Sequence, residues 1–279
     1  MESDPRAWIA ALRHSHDRLV QLVQPMTADQ RRAQSYCRDW TIAQVLSHLG
    51  SGAEIALMML PGALGRSEHV DRDEFQPVWD RWNAKSPDDQ AQDALTADAE
   101  HVQMLEGLSD DELAAISFPF FGMDLDAVGL IRLRLGEHAL HTWDIAVTED
   151  PAAVVSPDAA SLLIDNVPQF LAPRLGKPQE QPVRARIRTS QPDRDYLLTA
   201  GESVAMTDWA DAGSDSAGAG AGAGDGAGGA GGGAVAEIAM PAEALLRLSY
   251  GRLDSAHTPA SVVGSPADLD RLRAIFPGF

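Results

Sequence analysis

The chain has 279 residues and a formal net charge of −19, from 22 Lys+Arg against 41 Asp+Glu. A field of that sign repels nucleic-acid phosphates and anionic lipid headgroups, so neither is expected as a partner. The single cysteine, Cys37, excludes an internal disulfide framework and fits a reducing cytoplasm.

The start, Met1-Glu-Ser-Asp-Pro5, has no basic or apolar leader, so no secretory signal is expected. No apolar run reaches the ~18 residues of a membrane span. Pro5 follows Ser3 and Asp4, a helix-start signal. Trp8, Leu12, Leu19 and Val23 then recur at helical spacing up to Pro25. A second helix starts after Trp40. Thr41 and Gln44 form a capping box, Ile42, Val45, Leu46, Leu49 and Ile55 give an apolar face, and Pro61 follows its end. A third, acidic helix spans about 86–108, with Leu95, Met104 and Leu105 as its core candidates. A fourth spans about 124–147 and is apolar on most of its surface, which suits the centre of a bundle. Four such helices predict an antiparallel four-helix bundle over residues 1–150.

The pattern changes after Pro151. A helix is predicted over 156–171. Val183, Ala185 and Ile187 alternate with Arg184, Arg186 and Arg188, the period of a half-buried strand. Residues 196–199, 234–239 and 262–263 are further strand candidates. Helices are predicted over 241–250 and 267–275. Residues 151–279 therefore read as a smaller α+β domain, and the whole chain as α+β. Of 24 glycines, 11 fall within 213–233. A tract of Gly, Ala, Ser and Asp has no side chains for a core, so it reads as a flexible insertion between two strands.

Three polar residues stand in apolar surroundings. His48 lies between Leu46 and Leu49. Glu137 and His141 are four apart on the fourth helix, so they project from one face. Together they form a His-Glu-His set that can hold a divalent metal, most often zinc, with a coordination position left open. Taken alone, E-x-x-x-H is short and recurs by chance. His138 points about 100° away from Glu137 and reads as a surface residue or an alternative ligand. Asp144 reads either as an acceptor orienting His141 or as a plain ion-pair partner. Asp39 reads as a helix cap and Trp40 as a packing residue. Arg252, after Gly251, could clamp a carboxylate or pair with an acidic neighbour. Cys37 has only Arg38 beside it and reads poorly as a nucleophile.

Three segments together carry a family resemblance. Residues 39–49, with Trp40-Thr41 and His48-Leu49, resemble the W-T/S…H-L signature of the DinB-like bundle superfamily. Glu137, His141, Trp143 and Asp144 resemble the E-x-x-x-H-x-W-D helix of its mycothiol-dependent maleylpyruvate isomerase branch. Residues 241–252 and the ending Phe276-Pro-Gly-Phe279 resemble that branch's C-terminal domain, which is similar to sterol-carrier folds. The resemblance implies zinc held by His48, Glu137 and His141. It implies mycothiol as cosubstrate, hence an actinobacterial cytoplasm, and an activity-linked arginine at Arg252, on the cofactor and the substrate alike.

The implied chemistry is addition of a metal-activated thiolate to a double bond beside a carbonyl. Bond rotation and expulsion of the thiolate would complete a cis-trans isomerisation. A mycothiol S-transferase and a non-catalytic metal- or thiol-binding module are the alternatives. The partners expected are a small electrophile and a low-molecular-weight thiol, with the chain a monomer or homodimer. The net charge of −19 is unhelpful for attracting a dianion such as maleylpyruvate, though local basic residues can override a global field.

Overall fold

Asp4 opens the first helix by accepting a hydrogen bond from the Arg6 N–H at 2.9 Å, and Pro5 fills the first turn. This computed structural model describes residues 4–120, 123–212 and 235–278. The chain divides into two compact units, Met1–Ala159 and Ala160–Phe279. The insertion expected over 213–233 lies outside the described residues.

The first unit contains α1 (Pro5–Val23), α2 (Ala28–Arg32), α3 (Ile42–Ala63), α4 (Phe75–Asn83), α5 (Pro87–Glu106) and α6 (Asp110–Ala115). A short hairpin of β1 (Phe118–Phe120) and β2 (Met123–Leu125) leads into α7 (Ala127–Ala146). The long helices α1, α3, α5 and α7 form the bundle. Arg13 meets Glu106 and His16 meets Asp98, so α1 and α5 run antiparallel. His48 meets Glu137, and Leu49 meets Arg134, so α3 and α7 do too. Gly50 packs on Ala94, and Leu57 lies beside Gln103 and Met104. Hence α3 and α5 share a direction, which their long connection through α4 permits.

The predicted capping box is present: Thr41 Oγ1 accepts from Gln44 N–H, and the Gln44 side chain accepts from Thr41 N–H. The helix does not stop before Pro61 but continues to Ala63. Pro61 gives up the hydrogen bond its N–H would make to the preceding turn, and the helix ends two residues later. In α5 the core candidates were partly wrong. Met104 is 50% exposed, and the buried positions are Gln90, Ala91, Ala94, Asp98, His101, Val102 and Leu105. The inward stripe is built from small and polar residues, which apolar periodicity does not reveal. Leu12, Leu19, Ile42, Leu46, Leu49, Leu105, Ile131 and Leu135 are almost completely buried. Each such side chain contributes about 1.5–3 kcal/mol.

A carboxylate lies among them. Asp98 is fully buried; its Oδ1 accepts from Arg134 Nη2 at 2.9 Å. Its Oδ2 meets His16 Nδ1 at 2.7 Å and His138 Nε2 at 2.8 Å. Burial alone would raise its pKa, but His138, His16 and Arg134 outweigh that and hold it well below the usual carboxylate range. His138 is 0% exposed, so the expected surface position is corrected. Its neighbour Glu137 faces the solvent side of α7 while His138 faces the core.

The second unit begins within α8 (Pro157–Leu163). The helix expected over 156–171 is interrupted: a π-turn spans Val167–Leu171 and α9 spans Ala172–Leu175. Pro168 and Pro173 lack the N–H groups a continuous α-helix would use. The sheet comprises β3 (Val183–Ser190), β4 (Arg194–Ala200), β5 (Val204–Asp208) and, after α10 (Trp209–Ala212), β6 (Ala236–Pro241). Strand order is β5-β4-β3-β6, with β3 antiparallel to β4 and parallel to β6. Ala185 and Ile187 are fully buried, as the alternation predicts. Sequence reading missed β5. Val262 and Val263 form no strand; Val263 makes a single bridge to Ala239 and is 66% exposed. Two helices close the unit, α11 (Ala242–Ser249) and α12 (Pro266–Ile275). No described helix is long and apolar enough to cross a membrane.

Removing the Asp98 charge leaves Arg134 uncompensated in the core. Asp98→Asn is expected to cost about 3–5 kcal/mol in urea unfolding at pH 7. Because the folded pKa of Asp98 is depressed, its contribution is present above the unfolded carboxylate pKa of about 4 and is lost as pH falls toward the folded value. The Asn variant should therefore lose stability less steeply below pH 4 than the parent.

Candidate metal centre

The cleft between α3 and α7 gathers the polar residues that sequence spacing singled out. His48 Nε2 donates to Glu137 Oε2 at 3.0 Å. His141 Nε2 lies 3.5 Å from the same oxygen. One nitrogen from each imidazole and one carboxylate oxygen thus lie within 4.8 Å of one another. The two rings are 4.8 Å apart between centroids and nearly perpendicular. The His48 and Glu137 side chains are 36% and 50% exposed, while that of His141 is 10% exposed. The site is therefore closed below and open above.

Each of the three side chains is held by identifiable features. Glu137 and His141 share a face of α7 because they are one turn apart. His48 sits two turns into α3, whose start is set by the Thr41 cap. The segment before that cap is pinned to α7. Tyr36 N–H donates to the Asp144 carbonyl at 3.0 Å, and the Tyr36 ring packs edge-on against Trp143. Trp40 lies against both imidazoles, with centroids 5.1 Å from His48 and 5.8 Å from His141. Trp40 therefore packs, as read, but packs on the site. The cap is Thr41 rather than Asp39.

Asp144 is fully buried, and its Oδ2 lies 2.8 Å from His141 Nδ1. Both readings meet in this contact: the carboxylate pairs with the His141 imidazolium and holds the ring so that Nε2 faces Glu137. Cys37 Sγ–H donates to the same Oδ2 at 3.1 Å, with Sγ 3.9 Å from His141 Nδ1. Sequence reading missed this position of Cys37, because nothing adjacent in sequence marks it.

The electrostatics follow. Burial raises the Glu137 pKa, but hydrogen bonds from His141 and His48 outweigh it and hold the group far below the usual range. Burial lowers the His141 pKa, yet Asp144, Cys37 and Glu137 together push it up to about 10. Two imidazole nitrogens and a carboxylate oxygen suit zinc once His141 gives up its proton, and three such groups would leave one position for an exogenous group. Cys37, His141 and Asp144 form a second candidate set through Nδ1. That set sits behind the ring, where Asp144 is shut off from solvent.

Arg252 lies in the second unit. Gly251 takes φ +71°, and a Cβ there would come 2.4 Å from Gly278 Cα, so only glycine fits. The buried Glu243–Arg247 pair holds the following loop, with Arg247 Nη1 donating to the His257 carbonyl at 2.8 Å. Arg252 is 9% exposed and donates from Nη1 to the Tyr250 carbonyl at 3.2 Å.

Residues 12–146 match the family described as the mycothiol maleylpyruvate isomerase N-terminal domain. A crystal structure of the mycothiol-dependent maleylpyruvate isomerase is similar in fold, with a TM-score of 0.63, 12% identity, and coverage of 95% of this chain and 94% of that one. The crystal structure of a histidine-to-alanine mutant of that isomerase gives a TM-score of 0.62, 11% identity and the same coverage. No curated protein matches the chain in sequence.

In the metal-free protein, Asp144→Asn should move the His141 pKa from about 10 down toward the ordinary histidine range. Imidazole NMR titration reads this directly; an unmoved His141 would remove Asp144 from the role assigned. The parent's raised pKa stabilises the metal-free fold below the unfolded histidine pKa of about 6.5, and that gain is lost as pH rises toward 10.

Proposed function

The chain belongs, through residues 12–146, to the mycothiol maleylpyruvate isomerase family, and from that premise we propose that it is a mycothiol-dependent zinc enzyme. Its reaction is cis-trans isomerisation of a maleylpyruvate-like electrophile. The observation that carries the reading is the convergence of His48, Glu137 and His141 on one point, with an open side toward solvent. Zinc there would lower the pKa of a coordinated thiol and supply a thiolate at neutral pH.

The chain's own residues have distinct tasks. Glu137 is ionised and balances positive charge at the site. Asp144 keeps the His141 ring turned so that Nε2 faces the ligand point. Trp40 walls one side of the two imidazoles and limits water there. Arg252, the activity-linked arginine that the family resemblance implies, is assigned to cofactor and substrate alike, because a guanidinium matches a carboxylate bidentately. The thiol cosubstrate supplies the nucleophile, so Cys37 need not. Once the double bond has become single it can rotate, and expulsion of the thiolate restores it in the trans form.

The decisive assay is zinc content followed by mycothiol-dependent turnover of maleylpyruvate. His48→Ala should lose most zinc and most activity; full zinc and full activity in that variant would overturn the reading. Product mass separates the chemistries. A mass-neutral product supports isomerisation, and a stable thiol adduct makes the protein an S-transferase. Zinc binding without turnover of any thiol and electrophile makes it a binding module. Arg252→Met should retain zinc while kcat/KM falls by about 10²-fold. Zinc affinity should rise with pH from neutrality toward 10, because the metal must displace the His141 proton.

A further inference from the structure

The three ligands of the candidate centre come from two helices. His48 is on α3, whereas Glu137 and His141 are on α7. Their mutual distances therefore depend on whatever fixes the spacing of these helices. A single side chain below the site links them in the core. Arg134 Nη2 donates to the Leu49 carbonyl at 2.7 Å and to Asp98 Oδ1 at 2.9 Å. Leu49 is the residue after His48, and Arg134 lies about one helical turn before Glu137 on α7. One nitrogen thus ties the α3 backbone beside one ligand to the α7 turn beneath the other two.

The arrangement is built for this guanidinium. A Cβ on Gly52 would come 2.8 Å from Arg134 Nη1, so glycine leaves the passage along α3 open. Asp98 is anchored on its other side by His16 of α1 and His138 of α7. His138 Nδ1 in turn meets Ser15 Oγ at 2.8 Å. All four long helices are thereby referred to one carboxylate. His16, Asp98 and His138 could themselves be read as a metal set. Charge argues against it: Arg134 already neutralises Asp98, and a dication would add uncompensated buried charge.

We propose that Arg134, held by Asp98, is the positioning residue of the candidate metal centre and sets the separation of His48 from Glu137 and His141. This rests on the metal-centre reading given above. A side chain that only stabilised the fold would change the unfolding midpoint and leave the metal affinity of folded protein alone. A positioning residue changes that affinity while the protein is still folded.

The test compares zinc dissociation constants, by chelator competition, for the parent, Arg134→Met, Arg134→Lys and Gly52→Ala. Circular dichroism establishes a temperature at which each is folded. Arg134→Met should bind zinc about 10–100-fold more weakly, the size of effect that outlying partners of metal ligands produce. Arg134→Lys, which keeps a donor but not the planar fork, should recover part of the loss. Folded Arg134→Met with parental affinity overturns the proposal. Should Arg134→Met fail to fold, parental affinity in both Arg134→Lys and Gly52→Ala overturns it instead. Should the parent bind no zinc, the metal-centre reading fails separately. The His48 and His141 imidazole NMR signals of metal-free protein then decide, since unshifted signals in the folded Arg134 variants overturn the positioning role. A second zinc equivalent that survives His48→Ala but not Asp98→Asn would make the core cluster a metal site and overturn it as well.

Discussion

The candidate centre depends on one carboxylate shared by imidazoles from two helices. Glu137 has half its side chain in solvent, yet its Oε2 is in reach of both His48 and His141. That contact exists only where α3 and α7 run side by side in opposite directions. The bundle supplies this pairing through apolar burial of residues such as Leu46, Leu49 and Leu135, which is strong but non-directional. The polar links supply direction: Arg134 to the Leu49 carbonyl, Asp98 to two histidines, and Tyr36 to the end of α7. Apolar burial holds the helices together, and these hydrogen bonds decide their register.

Much of this was legible in the sequence. The Thr41 capping box is a local signal and appears as predicted, and it places His48 two turns into its helix. The spacing of Glu137 and His141 puts both on one face by helix geometry alone. The alternation over 183–188 predicted β3 for the same kind of reason. What was not legible depends on tertiary packing. His138 looks like a surface residue beside Glu137, and only the position of α1 and α5 shows that it faces Asp98. Cys37 sits 107 positions from Asp144 in sequence and meets it only because the 34–41 segment folds back onto α7. Likewise Pro61 marks the end of α3 to within three residues, but no local signal shows that the helix runs on past it to Ala63.

The two units ask different things of their charges. In the first, ionised groups are balanced locally, the buried Asp98 by Arg134 and the half-exposed Glu137 by its histidines. In the second, Glu243 and Arg247 form a buried pair that holds the loop after α11, which carries Arg252. The net charge of −19 is distributed over the surface and says little about either place.

X-ray absorption spectroscopy at the zinc edge reads the ligand atoms of the centre themselves. Zinc-loaded protein without added thiol should show two imidazole nitrogens with oxygen donors and no sulfur. On addition of mycothiol, one sulfur should appear at about 2.3 Å. A sulfur ligand before any thiol is added would place the metal on Cys37 and the far nitrogen of His141. That result would contradict the assignment of the centre to His48, Glu137 and His141.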